Sequence, residues 1–382
     1  MSWSTTSSSP RRPYTDLVLE LWDADDPFGR LDRYLRDQGF FDPLSAASDD
    51  RVADVYLGYG LSRALRRTPG ADRPEPARLP MLACAVRVPG EAGPAGPTGS
   101  AGPIGGFRVG QWQHTWSPLE HQRAISRARA AIAAGDIYQV NLVQHLWAPF
   151  IGDPRAVGRA LDVFRPRHGR LMRGDGWTIV SASPELFLSR WGDRLTTMPI
   201  KGTRPLGGAD ELRMSGKDAA EHVMIVDLER NDMGRVCVPG TVAWPELMTP
   251  RSMAGVEHLV SRVTGRVRPG LGLPDLLAAM FPGGSVTGAP KIAAIDQIAQ
   301  LEPVGRGASM GALGVIHANG DFDLALTIRT FAIVDDTIHL WVGGGIVWDS
   351  DPAAEVEESW VKARPLLAAL DAAATVPTAV AS

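Results

Sequence analysis

The chain has 382 residues, 44% hydrophobic and 21% charged, an ordinary globular composition with room for a large mixed sheet-and-helix core. With 39 basic against 43 acidic side chains the formal charge is −4, and no basic run is strong enough to hold a nucleic-acid backbone. Cys84 and Cys237 stand far apart with no zinc spacing around them, which excludes a disulfide framework, and no run of about 18 apolar residues predicts a membrane span.

In chain order, the polar opening MSWSTTSSSPRRP lacks the apolar core of a signal peptide, which predicts a cytoplasmic location. Residues 15 to 87 carry scattered apolar clusters, LVLELW and VADVYLGYGL, enough for a few strands and a helix in a small N-terminal subdomain over 1–88. In PGEAGPAGPTGSAGPIGG a glycine recurs every third residue from Gly90 to Gly105; the triplets are too few for a collagen-like rod, so 89–106 reads as a linker or loop. The main body spans 107–372, followed by a flexible tail at 373–382. It opens with SPLE, where Ser117 is the N-cap, Pro118 the first helical residue and Glu120 the closing member of a capping box. The helix should run to about Ala134 and stop at Gly135, and YQVNLVQHLW from 138 then reads as a buried strand.

TIVSASPELFLSRWGDRLTTMPIKGT predicts two strands joined by a turn at Trp191, Gly192 and Asp193, which brings Glu185 opposite residues near 200 and 201. Lys201, in PIKGT, is a cation where a small apolar residue would pack more easily. A glutamate and a lysine on adjacent strands form either a cross-strand ion pair or an acid and an amine facing one substrate, and a register slip of one residue separates them.

Two acidic helices follow the same logic of spacing. Asp218 and Glu221 in GKDAAEHVMIVDLERND share a helical face, with Val223, Met224, Ile225, Val226 and Leu228 burying the segment. Glu355, Glu358 and Lys362 in DPAAEVEESWVKARPLL fall at i, i+3 and i+7. Each pair alone reads as a solvated surface, whereas four converging carboxylates would suit Mg²⁺. FPGGSVTGAPK places Ser285 and Thr287 before a helix opening at Pro290, which either offers an anion site or is a plain helix entry; the missing GxxxxGK spacing excludes a nucleotide-phosphate loop. Gly343, Gly344 and Gly345 mark a strand end where backbone bends or something approaches closely. LALTIRTF places Arg329 inside an apolar strand, where it needs a carboxylate partner. His258 in GVEHLVSRV reads as a hydrogen-bonded core histidine or a pocket residue.

The order GDIYQVNL, SASPELF, PIKGT, EHVMIVDLERND, EHLVSRV, GGSVTGAPK, LTIRTF and GGGIVWDS, across about 107 to 370, resembles the chorismate-utilising enzymes. The resemblance implies an α+β fold: a two-layer sandwich of antiparallel β-sheets flanked by helices, with a shortened N-terminal portion. It implies chorismate and Mg²⁺ between the layers, the ion on Glu221 and Glu358 with Asp218 and Glu355 in support. Glu185 then matches the acid that protonates the departing C4 hydroxyl, and Arg329 the group that grips a substrate carboxylate. Gln139, Gly202, Thr203, His258, Thr287, the glycine run and Lys362 line the same pocket. Where relatives that add water carry a lysine base, this chain has Gln139, which disfavours isochorismate and salicylate chemistry.

The PIKGT form resembles the aminodeoxychorismate synthases and implies that Lys201, partly buried and uncharged when it attacks, adds to the ring before ammonia does. Neither cysteine sits in a glutaminase elbow, so ammonia would come from a separate glutamine amidotransferase subunit. Amination at C2, toward anthranilate or 2-amino-2-deoxyisochorismate, and a chorismate-binding protein without turnover are the alternatives. Ser309 stands where many relatives carry an aromatic residue.

Overall fold

The computed structural model describes residues 18–42, 50–68, 72–88, 104–166, 168–253 and 256–374. The N-terminal polar tail, most of the Gly/Pro-rich stretch and residues 375–382, on which the linker and tail expectations fall, lie outside them. Two antiparallel sheets form the frame. The larger runs from Val18–Leu21 through Leu82–Arg87, Val52–Leu57, Ala312–His317, Phe322–Leu326, Leu186–Trp191, Arg194–Met198 and Val256–Arg266 to Ile200–Pro205; Ala243–Met253 also pairs with Val256–Arg266. Strands from both sides of the Gly/Pro-rich stretch therefore share this sheet. The second runs from Gly288–Ala289 through Gln139–Gly152, Thr337–Ile346, Thr330–Val334 and Trp177–Ser183 to His168–Gly174, with Phe107–Val109 and Gln113–His114 also on Gln139–Gly152.

Alternation along the second sheet explains the layering. Ile179, Ala332 and Trp341 point inward and join Tyr56, Phe187 and Leu313 of the larger sheet in one core. Their chain neighbours Val180, Phe331 and Leu340 point outward and pack with Val157 and Leu161 of helix Pro154–Leu161 and with Ala363, Leu366 and Leu370 of helix Pro352–Ala373. Both faces are covered, which is why these strands read as continuous apolar runs.

Local signals place the elements that matter. Helix Pro118–Ala133 has its capping box, with Ser117 N donating to Glu120 Oε2 at 2.9 Å and Glu120 N to Ser117 Oγ at 3.3 Å, and Gly135 follows at φ 82°. The hairpin about Gly192 pairs Arg194 with Trp191 and, past an irregularity, Met198 with Leu186. Arg329 departs from expectation. It is not inside a strand: it lies between Phe322–Leu326 of one sheet and Thr330–Val334 of the other, with φ 49°. The first strand ends at Leu326, and the left-handed backbone at Arg329 leads the chain into Thr330–Val334, so Arg329 sits where the chain changes layer. Val223 also differs, being 47% exposed rather than part of the buried helix face. Both cysteines are free and buried, and no helix among the described residues is long and apolar enough to cross a membrane.

Candidate active site

Strand Ile200–Pro205 sets the position of Lys201. Lys201 pairs with Leu259 and Arg204 with Glu257, so one extra residue is accommodated on this strand, and Gly202 adopts φ 66° within the bulge. A side chain at Gly202 would be strained by that φ, and its Cβ would meet Leu212 Cδ2 at 2.7 Å. The bulge leaves Gly202 O to accept from His258 Nδ1 at 2.8 Å, which fixes that ring's tautomer and leaves Nε2 to accept from Arg329 Nη2 at 3.1 Å. Burial pushes His258 down to about 4, consistent with a neutral imidazole that holds the guanidinium. Burial also lowers Arg329, opposed by the charge of Glu185. Thr203 lies on the same strand; its side chain is outside the described set.

Glu185 and Lys201 meet at one turn. Ser285 Oγ, in the 3-10 turn Gly284–Val286, donates to Glu185 Oε1 at 2.6 Å, and Lys201 Nζ donates to Ser285 O at 3.4 Å. Ile200 N reaches the same Glu185 oxygen at 3.4 Å. Glu185 is 4% exposed, and burial pushes its carboxyl up to about 7, against the Ser285 hydrogen bond, Lys201, Ile200 N–H and Arg329. It is thus poised to hold a proton near neutral pH. The hydroxyl of FPGGSVTGAPK serves this carboxyl, while Thr287 Oγ1 turns back to Gly283 O at 2.9 Å and braces the turn.

The ion pair of Lys201 is with Glu221, at 2.8 Å, not with Glu185. Gln139 Nε2 donates to the same Glu221 oxygen at 2.6 Å. On the second acidic helix Lys362 pairs with Glu358 at 2.8 Å and donates to Gly343 O at 2.8 Å. Arg204 pairs with Asp218 at 3.1 Å. Each of these three carboxylates thus has a basic neighbour, and among the described residues no three acidic, histidine or cysteine side chains gather as a metal cluster.

What the two acidic helices share is the glycine run. A Cβ on Gly345 would lie 2.5 Å from Glu221 Oε1 and 2.1 Å from Gln139 Nε2. One on Gly344 would lie 3.3 Å from Glu358 Oε1 and 3.6 Å from Glu355 Oε2. A backbone without side chains is therefore flanked by carboxylates of both helices together with Lys362 Nζ and Gln139 Nε2, and the carboxylate oxygens are the donor type that suits a hard divalent cation such as Mg²⁺.

Three further residues belong to this neighbourhood and were not anticipated: Arg204 on Asp218, fully buried His222 beside Glu221, and Glu229. His222 is pushed down to about 4 by burial, with Lys201 adding to the effect and Glu221 opposing it. The legible signal was helical: 218, 221, 222, 225 and 229 fall on one face of Gly216–Gly234.

Similarity to known proteins shows the family of the chain. The family described as chorismate binding enzyme matches residues 84–368. Anthranilate synthase component 1 of Streptomyces coelicolor is 38% identical over 338 residues, 86% of this chain and 62% of that protein. Aminodeoxychorismate synthase component 1 of Salmonella typhimurium is 40% identical over 269 residues, 68% of this chain and 59% of that protein. The chain thus spans about three-fifths of the length of these curated relatives. The crystal structure of anthranilate synthase component I from Streptococcus pneumoniae superposes with a TM-score of 0.78 at 25% identity, covering 95% of this chain and 94% of that one. Since the family match takes in every residue of the Glu185, Lys201 and acidic-helix constellation, the chain belongs to the chorismate binding enzyme family.

Proposed function

We propose that the protein aminates chorismate at C4, giving 4-amino-4-deoxychorismate, with ammonia delivered by a glutamine amidotransferase partner. The observation that carries this reading is the convergence of Lys201 and Glu185 on Ser285, an amine and a buried carboxyl on either side of one turn. Relatives named aminodeoxychorismate synthase component 1 support it, and the word component supports a second subunit. The product would serve 4-aminobenzoate and folate synthesis or a secondary pathway.

In this mechanism the ion pair to Glu221 opens, the Lys201 ammonium releases a proton to solvent, and the free amine bonds C2 of the ring. The ring double bond shifts, and the C4 hydroxyl leaves as water on the proton of Glu185. Ammonia then attacks C4, the double bond shifts back, the bond from C2 to the Lys201 nitrogen breaks, and one proton of the new C4 ammonium returns to Glu185. Chorismate and ammonia give aminodeoxychorismate and water, and the lysine is returned. Arg329, held by His258, binds a substrate carboxylate. Gln139 neither activates water nor carries charge, which keeps hydration out of the reaction. Mg²⁺ on Glu221 and Glu358, supported by Asp218 and Glu355, would supply positive charge to a substrate carboxylate.

A second reading has its own observation. The 2.8 Å pair between Lys201 and Glu221 suits a lysine that only balances charge, in which case ammonia enters at C2 as in the relatives named anthranilate synthase. Incubation with chorismate, Mg²⁺ and an ammonium salt at alkaline pH, followed by mass spectrometry with and without an aminodeoxychorismate lyase, separates the two. Nitrogen at C4, lost or diverted to C2 in Lys201→Ala, supports the first; unchanged output from Lys201→Ala refutes the covalent step.

A further inference from the structure

The second half of helix Gly216–Gly234 carries a buried carboxyl that the proposed chemistry does not use. Glu229, about two turns beyond Glu221, is 2% exposed. Its Oε1 accepts from Gly284 N at 2.8 Å, and its Oε2 has no hydrogen-bond partner among the described residues. Lys291, whose charge acts on Glu229, hydrogen-bonds to other groups: it pairs with Asp232 at 2.5 Å and donates to Met280 O at 2.9 Å. Gly284 leaves room for the carboxyl, since a Cβ there would stand 2.9 Å from Glu229 Oε1. A buried carboxyl left half-unpaired is costly, and it is placed on the one turn whose next residue, Ser285, holds Glu185.

We propose that Glu229 is a positioning residue for Glu185: its carboxyl anchors Gly284 N–H and so fixes the turn from which Ser285 reaches Glu185. The inference rests on Glu185 being the acid. Electrostatics agree with the geometry. Burial pushes Glu229 up to about 7, with Lys291 and the Gly284 hydrogen bond opposing and the charges of Asp232 and Glu185 reinforcing. The groups facing Glu185 are Ser285, Lys201, Ile200 N–H and Arg329, all of which favour its ionised form. Glu185 and Glu229 oppose each other's ionisation across the turn: the charge of whichever ionises first favours the proton on the other, and the two carboxyls titrate as a pair.

The test compares wild type, Glu229→Gln, Glu229→Ala and Glu185→Gln in chorismate consumption with ammonium from pH 5.5 to 9. In parallel, the infrared band of the protonated carboxyl that Glu185→Gln abolishes is titrated without substrate. Glu229→Gln keeps an acceptor for Gly284 N–H and loses the charge. Its kcat at low pH should stay near wild type, while the pH at which activity and the infrared band fall should move down by about 0.5 unit or more. Glu229→Ala should lose about ten- to a hundredfold in kcat with KM little changed, and Gln rather than Ala restores it. A merely structural role would lower the unfolding midpoint and leave both pH midpoints in place. If Glu185→Gln is inactive and Glu229→Gln moves neither midpoint, the inference fails alone; if Glu185→Gln keeps full activity, the assignment of the acid fails and the inference with it.

Discussion

Keeping a proton on Glu185 has a cost in stability that can be measured directly. The carboxyl rises from an ordinary 4.5 to about 7, because it is 4% exposed and its hydrogen bonds and cationic neighbours do not fully replace water. Below pH 4.5 the group is protonated in both the folded and unfolded chain and contributes no pH dependence. Between 4.5 and 7 the unfolded chain releases the proton while the folded chain retains it, so stability falls as pH rises and levels off above 7. At ~1.4 kcal/mol for each pH unit, the total is about 3 kcal/mol. Glu185→Gln keeps the shape and can still accept from Ser285, but does not titrate. The difference in unfolding free energy, wild type minus variant, should therefore drop by about 3 kcal/mol between pH 4.5 and 8 in urea titrations. The variant becomes relatively more stable in alkali while losing the proposed proton donor. A difference that stays flat within ~1 kcal/mol across that range would refute the claim that burial holds the proton in place.

Four other outcomes follow from packing and charge. Gly345→Ala should disturb Gln139 and Glu221, against which its Cβ would press at 2.1 and 2.5 Å, and so cost activity more than stability. Gly343→Ala meets the rigid Leu142 O at 1.9 Å and should cost about 1–3 kcal/mol or more by urea unfolding. Arg306→Met should destabilise by about 3–5 kcal/mol, because Glu302 is then buried with its charge uncompensated and the carbonyls of Val286 and Asn141 lose their donor. With Mg²⁺ proposed on Glu221, Lys201→Met removes a competing ammonium. Mn²⁺ affinity read by electron paramagnetic resonance should rise about tenfold, some ~1.4 kcal/mol, and an unchanged affinity would argue against Glu221 as a ligand.

Much of this arrangement was legible because it is encoded locally. The capping box at Ser117 and the turn at Gly192 depend on neighbours in sequence, and both are formed as read. Arg329 was misplaced because an apolar run lies to either side of it, whereas residues 327–329, with the left-handed backbone at Arg329, separate two strands of different sheets. The hairpin did bring Glu185 to Ile200, yet the ion pair of Lys201 went to Glu221 on a helix that the hairpin pattern does not describe. Glu229 was missed for a related reason: helical spacing places a carboxylate on a face, but only the packing of the Gly284 turn against that face buries it.

Ile200–Pro205 is the terminal strand of its sheet path, bonded to Val256–Arg266 along one side. Displacing it breaks a single ladder, whereas the Arg306 brace ties Asn141 to Val286 deep in the fold and resists separation. The amine proposed to bond the ring is thus carried by a strand held in its sheet along one side, while Glu185 lies beyond it against the turn at Ser285.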